Sequence, residues 1–135
     1  MIAISWDDSY TVHVESIDAQ HKQMMRLIND LNRISDSGQD EDQLELALIN
    51  LCDYTRKHFE YEESFLEKYH YPFYKSHQEK HNVFLKTIAQ TKKDLLNAHG
   101  RHKKKKIETI VFWLKNHIIK EDKQYVCFML EHGIK

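Results

Sequence analysis

His77 and His81 stand four residues apart, and so do His58 and Glu62. On a helix that spacing puts both side chains of each pair on one face, so each pair can reach one ion. His21 and His117 occupy equivalent places in two further stretches whose apolar residues recur at helical period. In all four stretches the stripe that should face a core is interrupted by these groups. Burying one ionisable side chain without a partner costs several kcal/mol, and a single such residue is ordinarily a hydrogen-bonded core histidine. Six at once need a common cause. The chemistry that fits is metal ligation. One tetrahedral zinc needs only four ligands. Five imidazoles with carboxylates suit two ions joined by oxygen bridges, and imidazole alone does not separate zinc from iron.

The elements that must position these groups can be read from the stripes. The first helix carries Ile17, His21, Met24, Ile28 and Leu31, with Asp18 as its expected N-cap and Ser35 to Gly38 as its end. The second carries Leu44, Leu48, Leu51, Thr55, His58, Glu62 and Phe65, opened by Asp40 or Asp42. The third starts near Pro72, which suits a first turn, and carries Phe73, His77, His81, Phe84, Ile88, Thr91 and Leu95. Asn97 to Gly100 close it. The fourth carries Ile107, Ile110, Leu114, His117, Glu121, Gln124 and Phe128 and ends before Gly133. The expected fold class is all-α, an up-down-up-down antiparallel four-helix bundle with an N-terminal arm. The arm covers about 1–16 and the helices about 18–37, 41–69, 72–97 and 103–131, in a single domain of 135 residues. Trp6, Tyr10 and Val12 are expected to pack the arm along the bundle. In such a bundle all six polar groups fall at overlapping heights, at about 1.5 Å of rise per residue.

Composition agrees. Three glycines and one proline are too few for a β-sandwich or a doubly wound α/β fold. Twenty Lys and Arg nearly cancel 21 Asp and Glu, and the net charge of -1 gives no drive toward nucleic acid or anionic membrane. No stretch approaches a membrane-spanning length, and the N-terminus lacks the basic start of a signal peptide, so a cytoplasmic protein is expected. Cys52 and Cys127 form no CxxC and read as reduced, partly buried thiols.

Four segments resemble, in order, the ligand segments of the hemerythrins. They are Ile17-Asp18-Ala19-Gln20-His21, His58-Phe59-Glu60-Tyr61-Glu62-Glu63, His77-x-x-x-His81 and Trp113-Leu114-Lys115-Asn116-His117-Ile118-x-x-x-Asp122. The resemblance spans essentially the whole chain. It implies two non-haem iron ions joined by an oxo or hydroxo bridge, with O2 as a reversible ligand. By that resemblance His77, His81 and His117 hold one iron, His21 and His58 the other, and Glu62 and Asp122 bridge them. Phe59, Trp113 and Leu114 match positions that line the O2 pocket. One residue sets geometry against resemblance. On a regular helix Glu121 lies about 40° from His117 and Asp122 about 140°. Geometry alone favours Glu121, whereas the resemblance requires Asp122, delivered by a π-type irregularity or a turned helix face. His13 is a second departure, standing where relatives carry a small residue, commonly glycine.

Other signals point elsewhere and are weaker. His77-Gln78-Glu79-Lys80-His81 has the histidine spacing of a zinc protease helix, but its Glu sits third instead of second. Glu67-x-x-His70 occurs once, where a ferritin-like site needs two copies and four carboxylates. The run 101–106, from Arg101 to Lys106, is expected to be a solvated link, with an acidic protein partner as its second reading. No aromatic interleaving supports nucleic acid. His70, His99, His102 and His132 fall near element ends and are expected at the surface. An O2 carrier or store, monomeric and not an enzyme, is therefore the expected function. A sensor acting through a separate partner, or a di-iron oxidase, peroxidase or NO-handling enzyme, is the alternative.

Overall fold

A computed structural model describes residues 4–37, 41–97 and 103–134. Helix α1 spans Glu15–Asp36, α2 Glu41–Lys68, α3 Tyr74–Asn97 and α4 Lys103–Asn116. A π-helical turn, His117–Glu121, and a 3-10 turn, Asp122–Tyr125, then lead into the short helix α5, Val126–Glu131. Among the described residues there is no strand, and no helix is long and apolar enough to cross a membrane. Helix α1 packs on α2, α2 on α3, α3 on α4, and α4 back on α1, which closes the antiparallel bundle. Gly38, Asp40, Ala98, His99, Gly100, Arg101 and His102, read from the sequence as ends and links, lie outside the described residues, as does the Leu95 side chain.

The interior has two apolar regions. One gathers Met24, Ile28, Leu31, Leu44, Leu48, Leu51, Phe84, Ile88, Ile107 and Ile110. The other gathers Val12, Val14, Ile17, Leu66, Tyr71, Tyr125 and Met129. Helices α1 and α2 cross from one to the other through their polar interruptions: Ile17 precedes His21 and Met24 follows it, and Leu51 precedes His58 and Glu62 while Leu66 follows them. A layer of buried polar side chains is thus clamped between two dry ones.

The arm is tied down where the sequence places it. Ile4 N–H donates to Asn29 Oδ1 at 2.9 Å, and Asn29 Nδ2 donates back to Ile4 O at 2.8 Å. Tyr10 and Val12 are buried, and Trp6 packs against the larger cluster.

Three expectations about element ends are corrected. Helix α1 begins at Glu15, three residues early, and Val14 at its N-cap makes no side-chain cap. Asp18 lies inside the first turn, where it accepts from Val12 N–H and the Thr11 hydroxyl and clamps the arm to the helix. Helix α3 begins at Tyr74 and not at Pro72, because the chain is still turning there, with Tyr74 N–H bonded to Tyr71 O. Phe73, read as part of the core stripe, is 62% exposed for that reason. The fourth helix is not continuous to 131. The π turn inserts one residue into the register, so the buried face passes from Leu114 to Ile118, Asp122, Tyr125 and Met129. Glu121, Gln124 and Phe128 each miss the core by one position.

His13 and His70 both have φ of 60°, the left-handed region that disfavours side chains with a Cβ. At His13 this gives the physical reason that a glycine suits the position. His13, His70 and His132 are exposed. Cys52 is half-buried and Cys127 exposed, and both are free thiols.

Candidate metal centre

His21, His58, Glu62, His77, His81, His117 and Asp122 are all buried, and the bundle brings all seven together. Each helix contributes through its spacing. Helix α2 delivers His58 and Glu62 one turn apart, with His58 Nε2 at 3.4 Å from Glu62 Oε2. Helix α3 delivers His77 and His81 in the same way, and α1 gives His21. The π turn delivers His117 and Asp122 together, with His117 Nε2 at 3.0 Å from Asp122 Oδ1. Glu121, favoured by regular helical geometry, instead pairs at the surface with Lys80 at 2.6 Å.

The two carboxylates each face two ways. Glu62 Oε1 lies 2.7 Å from His77 Nε2 and 3.2 Å from His81 Nε2. Glu62 Oε2 faces His58 and, at 3.7 Å, His21. Asp122 Oδ1 lies 2.9 Å from His77 Nε2, whereas its Oδ2 lies 3.2 Å from His21 Nε2. The cluster therefore divides into a three-imidazole group and a two-imidazole group, with one oxygen of each carboxylate on either side.

The donor set fits metal ions. Both Asp122 oxygens are buried without a hydrogen bond, although imidazole nitrogens lie about 3 Å away. His21 Nε2 sits 3.0 Å from His58 Nε2, and His81 Nε2 sits 3.0 Å from His117 Nε2. Ring nitrogens and carboxylate oxygens that converge in this way offer a donor set for cations once protons leave.

Outer partners orient two of the rings. His58 Nδ1 is 2.7 Å from Gln20 Oε1, and His81 Nδ1 is 2.8 Å from Glu63 Oε2. Each of these rings donates from Nδ1, which leaves the Nε2 lone pair for a metal. Tyr125 donates its hydroxyl to Glu62 Oε2 at 3.0 Å. Nothing in the sequence alone singles out Gln20, Glu63 or Tyr125. Gln20 and Glu63 sit beside ligand-type residues, but adjacency alone assigns no role. Tyr125 is hidden by the register shift at the π turn.

The metal-free cluster balances its charge with protons. Burial alone lowers a histidine, but the Asp122 and Glu62 carboxylates outweigh it and raise His21 to about 9 and His77 to about 10. His81 is raised for a similar reason, by Glu62 and Glu63 against its burial. Burial prevails at His58 and His117, which are lowered. Burial would raise Glu62, but the four imidazoles around it hold it well below its ordinary value. Asp122 is likewise held low, by His117 and His21, against burial and the Glu62 charge. Burial and the Glu62 charge push Tyr125 well above the ordinary phenol.

Aromatic rings wall the cluster on its α4 side. Phe59 is buried and stacks on His81 at 3.7 Å, and Trp113 stacks on His117 at 4.5 Å and on Phe84 at 4.0 Å. Leu114 is buried in the apolar cluster that includes Phe59 and Phe84 and against which Trp113 packs.

A family model of the hemerythrin HHE cation binding domain matches residues 12–128. The chain belongs to the hemerythrin family. This hemerythrin is 29% identical over 126 residues to a bacteriohemerythrin of Stenotrophomonas maltophilia (strain R551-3), covering 93% of this chain and 80% of that one. It is 32% identical over 129 residues to a hemerythrin-like protein of Naegleria gruberi, covering 90% and 89%. Among solved structures it resembles a leucine-to-tyrosine variant of a hemerythrin, at a TM-score of 0.84 and 25% identity over 94% of this chain and 97% of that one. Neither Glu67 nor His70 of the single Glu-x-x-His joins the cluster. Both are exposed, and Glu67 accepts from the Tyr74 hydroxyl. In the basic run Lys104 and Lys105 are exposed, and Lys106 pairs with Asp94 at 2.9 Å.

Proposed function

We propose that this hemerythrin holds two iron ions in its polar layer and binds O2 reversibly, as a carrier or store. His77, His81 and His117 would hold one ion, His21 and His58 the other, and Glu62 and Asp122 would bridge them. The observation that carries this reading is the division of the carboxylate oxygens between the two imidazole groups. When bound, the iron pair supplies the electrons on which reversible O2 binding depends. The unequal histidine count would leave the ion held by His21 and His58 with one protein ligand fewer, and that ion is the one expected to take a small exogenous ligand. Phe59, Trp113 and Leu114 exclude water on the α4 side, and a dry wall slows loss of the bound gas in a charged form. Five imidazoles with two carboxylates give a less anionic centre than a four-carboxylate site, which favours holding O2 over activating it.

The test is iron per chain together with an anaerobic-to-aerobic optical titration of the reduced protein. Two irons and a visible band that appears with O2 and vanishes on its removal are expected. One metal per chain, or two irons with no O2-dependent band, would sink the reading. A band that decays with turnover of a reductant would favour an oxidase over a carrier.

A further inference from the structure

A hollow of about 540 Å³ lies between α3 and α4 with its π turn, bordered by Val83 and Phe112, which are 56% and 70% exposed. Its floor includes the half-buried Trp113, whose ring stacks on His117 at 4.5 Å. Large apolar side chains left in water around one hollow mark a contact surface. The polar groups decide between a small ligand and a partner. A small-molecule site needs several polar anchors converging inward. Here Asn116 Nδ2 is spent on Phe112 O, the Thr109 hydroxyl on Lys105 O, and Lys80 and Glu121 on each other at 2.6 Å. What remains is one acid on α3, Glu79, and one base on the π turn, Lys120. Both are exposed and, among the described residues, neither has an ion pair. Each stands one residue before a member of the Lys80–Glu121 contact, so the two are nearly level across the hollow.

That arrangement is complementary to itself. In an isologous contact residue i meets j and j meets i. A two-fold axis along the hollow lays α3 of one copy over the π turn of the other, and Glu79 then faces Lys120 twice. A strongly acidic or strongly basic partner would instead set one of these two charges against its own sign. We propose that this face is an interface between two copies of this chain, with Val83 and Phe112 buried at its centre and a Glu79–Lys120 pair at either edge. The apolar centre supplies the affinity, and the rim charges fix the orientation. Pairing covers Trp113 and with it the α4-side wall of the metal centre. The inference goes beyond the O2 reading and does not depend on it.

The experiment is sedimentation equilibrium of the full chain from micromolar to millimolar concentration at low salt, with circular dichroism of every variant. Wild type is expected to show a monomer–dimer equilibrium and no larger species, because a two-fold contact closes on itself. Phe112→Asp should weaken pairing by about 10-fold or more, as loss of a central apolar anchor does. Val83→Asp should do the same, and it decides if Phe112→Asp does not fold. Lys120→Glu sets two acids face to face at both edges and should weaken pairing by about 10-fold. Adding Glu79→Lys to it reverses both charges and should restore the dimer to within about 3-fold of wild type, since the two residues act as a pair. A wild type that stays monomeric to millimolar concentration, a dimer unchanged in Phe112→Asp and Val83→Asp, or a double reversal that restores nothing would each overturn the proposal. A monomeric wild type whose hollow takes up an apolar dye would make it a small-ligand site and overturn the pairing as well.

Discussion

Gln20 and Glu63 touch no would-be metal position, yet each fixes how an imidazole presents itself. With Nδ1 donating to an oxygen at 2.7 or 2.8 Å, the rings of His58 and His81 are held in one tautomer and one orientation. Loss of such a partner ordinarily weakens metal binding by about 10- to 100-fold. Gln20→Ala and Glu63→Ala should each show a loss of that size in competition with a colorimetric chelator, with the helical content unchanged. Protonation supplies a second prediction at this scale. His21 at about 9 and His77 at about 10 carry protons at neutral pH in the metal-free protein. A metal ligand must be neutral, so loading displaces protons, and apparent affinity should rise as pH increases from neutrality toward 9. Both values lie above the ordinary 6.5, so the stability these two histidines give the metal-free fold is complete below that pH. It is lost as pH rises through about 9 to 10. Thermal melts across that range should fall for metal-free protein and stay level for loaded protein, in which metal replaces the protons. A parallel fall in both would refute the assignment.

The π turn decides the chemistry of the last helical segment. His117 and Asp122 are five residues apart, a spacing that a regular helix splays and a wide turn brings onto one face. Here the sequence was legible in part. The apolar stripes located all four helices, because 3.6-residue periodicity is set by burial and every helix has one buried face. His21, His58, Glu62, His77, His81 and His117 stood out as polar groups in those stripes. Asp122 did not, because periodicity assumes one register and the turn changes it, and only the family resemblance supplied it. The same shift concealed Tyr125 and Met129 and promoted Gln124 and Phe128 to places they do not hold. The start of α1 was missed for a different reason: Asp18 has the chemistry of a cap but spends it on Thr11 and Val12 from inside the helix. The turn can be tested by length. Deleting Ile119, which is 43% exposed, leaves His117 and Asp122 four residues apart, so a regular helix would keep Asp122, Tyr125 and Met129 inward. Inserting one alanine after Ile119 turns them by about 100° out of the core. The deletion should retain metal uptake and cooperative unfolding, and the insertion should lose both. Equal tolerance of the two would mean that the register past His117 does not matter.

At the scale of the molecule, seven polar groups are shut between two apolar regions, and their own contacts satisfy them incompletely. Neither Asp122 oxygen is hydrogen-bonded, and His21 Nδ1 is buried without a partner. The apolar layers hold the helices together at either end, so the metal-free chain is expected to stay folded. Its middle then carries the cost of carboxylates and imidazoles pressed against one another. A metal that binds the folded state but not the unfolded one stabilises it by about 2.7 kcal/mol per site at a free concentration 100-fold above Kd. For a domain of this size each kcal/mol moves the midpoint by about 4 °C, so one filled site is worth about 10 °C and two about twice that. Zinc serves as probe, since it has no redox chemistry and brings no O2 chemistry with it. Scanning calorimetry at increasing free metal should show the midpoint climbing with the logarithm of concentration, at the slope of two bound ions per chain. Glu62→Gln removes the carboxylate that faces both imidazole groups and should cut that slope to one ion or less. A wild-type slope of one ion, or an unchanged slope in Glu62→Gln, would mean that the polar layer works as a single site and that its two halves are not bridged.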